Sequence, residues 1–152
     1  MSTIDQWLVS MGNYLNMPLA RIALFVVFFW FGALKVVGLS PANALVDALL
    51  QITLPWWNFS SFIVVFGLFE MVIGVLFLWP RTWKFAFLLL GLHMVTTFMP
   101  LILLPEVVWQ APFAPTLEGQ YIIKNLVIIA LAFSVISHLH PMHEKVSDRR
   151  GK

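Results

Sequence analysis

Glu70 and His93 are the residues of this sequence best placed to do acid–base chemistry away from water. Glu70 sits near the middle of SFIVVFGLFEMVIGVLFLW, residues 61–79, which is otherwise uncharged and long enough to cross a bilayer. An acidic residue at that depth costs about 2.5–3.5 kcal/mol on insertion scales, so the chain must offer it a partner, a proton or a wet cavity. His93 lies at matching depth in the next apolar run, with Thr96, Thr97 and Pro100 at i+3, i+4 and i+7 on the same helical stripe. That stripe should face protein or water, because a lipid-facing imidazole beside two hydroxyls would leave all three without partners. Two cations can reach inward from the other half of the membrane, Lys35 and Lys124, and Asn125 and Arg21 add polar groups near helix ends. Facing either lysine, Glu70 would be held as a carboxylate; facing an apolar wall, it would keep its proton.

Two chemistries suit this set. Glu70, His93 and Lys124 could accompany proton-coupled electron transfer done by a partner, beside a quinone or similar apolar small molecule. Alternatively, the polar groups only fix the register of a bundle. Other chemistries are excluded by composition and spacing. Cysteine is absent, which removes thiol chemistry, thiolate-bound metal and Fe–S clusters. His93 is the sole mid-membrane histidine and His138 belongs to a helix end, so a bis-histidine haem is not expected. No core pair has metal-ligand spacing, and the spacing of His138, His140 and His143 in the tail reads as incidental. There is neither a phosphate-binding glycine loop nor a serine–histidine–acid set.

The elements that must position these groups follow from hydropathy. Of 152 residues, 61% are hydrophobic and 11% charged, against roughly 25% charged in a soluble domain. An integral membrane protein is implied, with spans at about 18–39, 61–79, 85–104 and 121–139, joined as an all-α, up-down four-helix bundle with short interfacial helices. One membrane domain accounts for the chain, with a polar tail at 140–152.

Ahead of the first span there is neither a basic leader nor a small-residue cleavage site. Thr3 and Gln6 suggest a capping box, and Ile4, Trp7, Leu8, Met11 and Leu15 share one face of a short helix suited to the interface. Pro18 should open the first span. Lys35 follows Arg21 after only 13 uncharged residues, too few to cross about 30 Å, so it falls within the outer part of that helix. Ser40 and Pro41 should start a short helix through Gln51, followed by an aromatic belt at Trp56 and Trp57. Residues 105–120 read as a proline-punctuated loop with Trp109 at the interface.

Arg21, Arg81, Lys84, Lys145, Arg149, Arg150 and Lys152 fall on one side of this topology, against Lys35 and Lys124 on the other. The majority side should be cytoplasmic, with both termini inside. The formal net charge of +2 forms no nucleic-acid patch.

Arg21 at the head of the first span, the FFWFGALK run ending at Lys35, GLFEMVIGVLFLW around Glu70, PEVVW at 105–109 and LEGQYIIKN at 117–125 together resemble the DoxX-like membrane proteins. Most similar is their subgroup of reactive-chlorine-resistance inner-membrane proteins. The resemblance runs from Arg21 to Phe133 and departs in a shorter first outer segment and at Gln120 and Tyr121, where a small residue and an arginine are expected. It implies a bacterial inner-membrane protein linked to redox or oxidant-stress defence, in some relatives a subunit of a quinone-reducing, sulfur-oxidising enzyme. Membrane lipid and either a protein partner or a second copy are the expected partners. A non-enzymatic accessory subunit that anchors a partner protein is the alternative reading. A small-solute transporter is a third, for which four short helices offer little pathway.

Overall fold

A computed structural model describes residues 2–137. The expected end of the fourth span at Leu139, His138 and the tail with His140, His143, Lys145, Arg149, Arg150 and Lys152 lie outside the described residues. Among the described residues seven α-helices follow in order: α1 (Thr3–Val36), α2 (Asn43–Thr53), α3 (Phe59–Leu78), α4 (Trp83–Phe98), α5 (Pro100–Leu103), α6 (Pro105–Val108) and α7 (Leu117–Ser137). A single 3₁₀ turn, Pro80–Thr82, precedes α4, and a small hairpin, β1 (Trp109–Ala111) and β2 (Ala114–Pro115), precedes α7. The architecture is all-α. Four helical segments are long and apolar enough to cross a membrane, α1, α3, the stretch 80–103 built on α4, and α7, which makes this a multi-pass membrane protein.

The closest pairing is α1 against α3, and glycines make it possible. A Cβ on Gly67 would lie 2.6 Å from the Gly32 carbonyl oxygen, and one on Gly74 would lie 2.9 Å from the Phe29 amide nitrogen. The two backbones are therefore in contact. Between helices in lipid there is little hydrophobic drive, so this close approach and its dispersion contacts supply the association. Gly67 and Gly74 flank Glu70 at helical spacing, which lets a neighbour approach that face, and the neighbour is a helix. Below this contact, Leu24 and Phe28 of α1, Ile73 and Phe77 of α3, Ala86, Leu90 and Met94 of α4, and Ala132 and Val135 of α7 form one buried core.

Several boundaries differ from expectation. Pro18 does not open the first span but lies inside α1, which runs unbroken for 34 residues, about 51 Å at 1.5 Å per residue. The interfacial helix and the first span are thus one helix. Pro18 has no N–H to give the Tyr14 carbonyl, so one bond of the α1 ladder is missing there. The capping box also shifts by one residue: Ser2 accepts from the Asp5 amide at 3.2 Å while the Ser2 amide donates to Asp5 at 2.8 Å. At the other end α1 stops at Val36, and Gly38 takes a φ of 76° that a helix cannot continue through. Ser40 does not cap a helix; its hydroxyl accepts from the Ala42 amide in a turn before α2. The stretch 105–120 is no irregular loop, since it holds α6, the hairpin and the first turn of α7.

Candidate functional site: a buried Lys–Glu–His network

Glu70 lies mid-way along α3, on the face that α1 and α4 cover, and is buried. Lys35 reaches it from the last turn of α1. The missing side chain at Gly67 allows this, because a Cβ there would stand 3.0 Å from the Lys35 Cβ. The ammonium of Lys35 donates to both carboxylate oxygens, at 2.9 Å to Oε1 and 2.7 Å to Oε2. From α4, His93 places Nε2 2.8 Å from Oε1. The side chains of Lys35, Glu70 and His93 keep only 7%, 6% and 8% of their exposure. Three helices thus meet in one charged, nearly dry cluster.

Donor counting on the far side of the imidazole favours one tautomer of the neutral ring. His93 Nδ1 lies 3.1 Å from the Thr97 hydroxyl. That hydroxyl has one proton and two neighbours that could accept it, Nδ1 and, at 2.9 Å, the His93 carbonyl. The carbonyl is already served by the Thr96 hydroxyl at 2.7 Å and by the Thr97 amide of the helix. A Thr97 proton given to Nδ1 leaves the proton of a neutral imidazole on Nε2, donated to Glu70. This assignment rests on the hydrogen-bond network. Lys35, Glu70 and His93 then sum to no net charge, the arrangement least costly in a low dielectric.

Aromatic rings enclose the cluster. Phe66 stacks on the His93 ring with centroids 5.4 Å apart and planes within 8°. Phe62 stacks on Phe66 at 5.7 Å, and Trp57 meets Phe62 edge-on at 5.4 Å. Phe28 and His93 meet in a T-shaped pair at 5.3 Å, and the Lys35 ammonium stands 5.7 Å from the Phe66 centroid. Walls this apolar strengthen each charged contact inside them and keep water from competing.

Of the residues the sequence nominates, Glu70, His93, Lys35 and Thr97 are brought into one chain of hydrogen bonds, and Thr96 supports it through the His93 carbonyl. The other three stand apart. Lys124 is exposed and holds its ammonium 4.9 Å from the Tyr121 ring of its own helix. Asn125 donates to the Tyr121 and Ile122 carbonyls at 3.1 Å. Arg21 donates to the Phe77 carbonyl at 3.4 Å, at the C-terminal end of α3. Depth in the membrane can be counted along a helix, whereas the direction a side chain leaves the axis depends on packing, and this separates Lys35 from Lys124. The aromatic walls escaped the sequence reading. A signal was present, since Phe62, Phe66 and Phe69 recur at i, i+4 and i+7 beside Glu70.

Comparison of the chain with models of protein families, with curated proteins and with solved structures finds no match.

Proposed function

We propose that this chain is a membrane subunit of the bacterial inner membrane, DoxX-like, linked to redox or oxidant-stress defence, with both termini on the cytoplasmic side. In this reading the Lys35–Glu70–His93 network handles protons for an apolar small molecule of the quinone class. The observation that carries it is the expense of the network. Burying an ion pair costs several kcal/mol per ion in desolvation before its attraction is counted, and packed apolar side chains would often hold a bundle as well. A quinone would supply the carrier of electrons and protons; the chain itself would hold and move protons between Thr97, His93 and Glu70, while Lys35 keeps the carboxylate in place. The Phe62–Phe66–His93 stack is filled by protein, so a headgroup would have to meet the network through the 6–8% of side-chain surface that Lys35, Glu70 and His93 keep.

A second reading is an accessory subunit that anchors a partner protein. It is favoured by closure: both carboxylate oxygens and both ring nitrogens already have partners within the chain. The two readings separate in protein purified in mild detergent and examined by native mass spectrometry. A bound quinone or comparable molecule that is retained by the native chain and lost in His93→Gln supports the first. A protein partner retained without any such molecule supports the second.

A further inference from the structure

At the tip of the β1–β2 hairpin, Ala111 pairs with Ala114 across a two-residue loop, Pro112–Phe113. Proline followed by a residue at positive φ is the pattern of a type II turn, whose second central position belongs to glycine or asparagine. Here that position is Phe113, with φ at 61° and 97% of its surface exposed. A bulky residue is strained there and gains nothing from burial within the chain. The base of the hairpin is nonetheless held firmly. Trp109 Nε1 donates to the Leu101 carbonyl at 3.1 Å, the Thr116 hydroxyl and amide donate to the Val107 and Val108 carbonyls at 2.9 Å, and Gly119 brings α7 against the Val108 carbonyl. A rigid stalk presents one strained aromatic side chain.

We propose that this hairpin is a docking knob, and that Phe113 enters an apolar socket with a basic rim on a protein partner. Charge decides among the occupants. Glu106 lies three residues before β1 and Glu118 three residues after β2; both are exposed, and neither takes part in an ion pair among the described residues. No lysine or arginine lies between residues 105 and 123. An apolar tip flanked by acids and free of cations is a poor anchor for an anionic lipid surface, where basic residues supply the attraction. Symmetric docking onto a second copy would bring the same acidic flanks together, which is repulsive. A partner carrying Lys or Arg around an apolar pocket meets both features. The proposal rests on the hairpin alone and stands whether or not the triad binds a small molecule.

The test places the photo-cross-linker p-benzoylphenylalanine at position 113 of the full chain in growing cells. The expected result is an adduct to a different protein, whose yield falls on the order of tenfold when Glu106→Lys and Glu118→Lys are combined. With the cross-linker moved to Gln110, Phe113→Asn should abolish the adduct while circular dichroism and Tm show a folded chain, since asparagine tolerates this φ. Adducts only to phospholipid, adducts only to a second copy, no adduct, or a yield indifferent to charge reversal would each overturn the proposal. Retention of a small molecule by the triad does not enter any of these readings.

Discussion

Lys35 Nζ stands 2.9 and 2.7 Å from the two carboxylate oxygens of Glu70, joining the last turn of α1 to the middle of α3. A two-point contact of this kind fixes the sliding register of the two helices as well as their separation. The glycines set how close α1 and α3 come, and the ion pair sets where along their length they stop.

Removing one member should be far worse than removing both. Glu70→Gln or Lys35→Met alone strands a buried polar group and should lower stability by about 3–5 kcal/mol, whereas the double variant should recover more than half of the summed loss. Unfolding titrations in detergent give the coupling energy. Strictly additive losses would show that the pair does not act as a unit. Oxidant resistance measured on the same double variant adds the functional reading, because a structural pair restores both properties and a functional site restores stability alone.

Thr97→Val should release the tautomer of His93. Without the hydroxyl, Nδ1 loses its donor, at a cost of about 1–3 kcal/mol, and the ring nitrogens no longer hold one preferred proton position. The ¹⁵N NMR signals of His93, assigned by their loss in His93→Gln, should report a single Nε2–H form in the native chain and in Thr97→Ser, and a mixture in Thr97→Val. An unchanged signal in Thr97→Val would mean that the hydroxyl does not set the tautomer.

Two glycine replacements should act in opposite directions. Gly67→Ala forces a methyl group against the Gly32 carbonyl and the Lys35 Cβ and should destabilise by about 2 kcal/mol or more. Gly91, in the interior of α4, has nothing within 4 Å of the position of a Cβ, so Gly91→Ala should stabilise by about 0.5–1 kcal/mol through helix propensity. Thermal unfolding of the two variants in one detergent compares them directly.

Lys124→Met should be nearly silent. Its ammonium is exposed, and its aromatic partner is on its own helix, so a change within about 0.5 kcal/mol is expected. A loss as large as that of Lys35→Met would place Lys124 in the network after all.

The orientation proposed above is open to labelling. A cysteine introduced at Gly151, in a chain that otherwise has none, should resist membrane-impermeant reagents in intact cells and react after lysis. Labelling from outside would reverse the topology.

Much of this arrangement was legible in the residues. The four apolar runs, the depth of Glu70 and the polar stripe of His93, Thr96 and Thr97 follow from hydropathy and a period of 3.6. Gly67 and Gly74, flanking Glu70 at helical spacing, are the sequence signal for a close approach on its face. The choice between Lys35 and Lys124 was not legible, because both sit at a suitable depth and only the azimuth of each helix distinguishes them. Pro18 misled for a different reason: proline favours a first turn but is also tolerated inside a membrane helix, and composition does not separate the two cases. The hairpin was hidden by its brevity, since strands of three and two residues are too short to carry a period-2 signal.

The closeness of Lys35 and Glu70 also decides how the bundle answers membrane voltage. A lone charge carried across the whole bilayer would gain about 2.3 kcal/mol per 100 mV. Opposite charges within 2.7–2.9 Å of each other span at most about a tenth of a hydrocarbon core roughly 30 Å thick. The field therefore acts on them as a short dipole, with an energy of no more than about 0.2 kcal/mol at 100 mV, below thermal energy. While the network stays closed it is electrically quiet, and a cell can change its membrane potential without loosening the three helices that meet at Glu70.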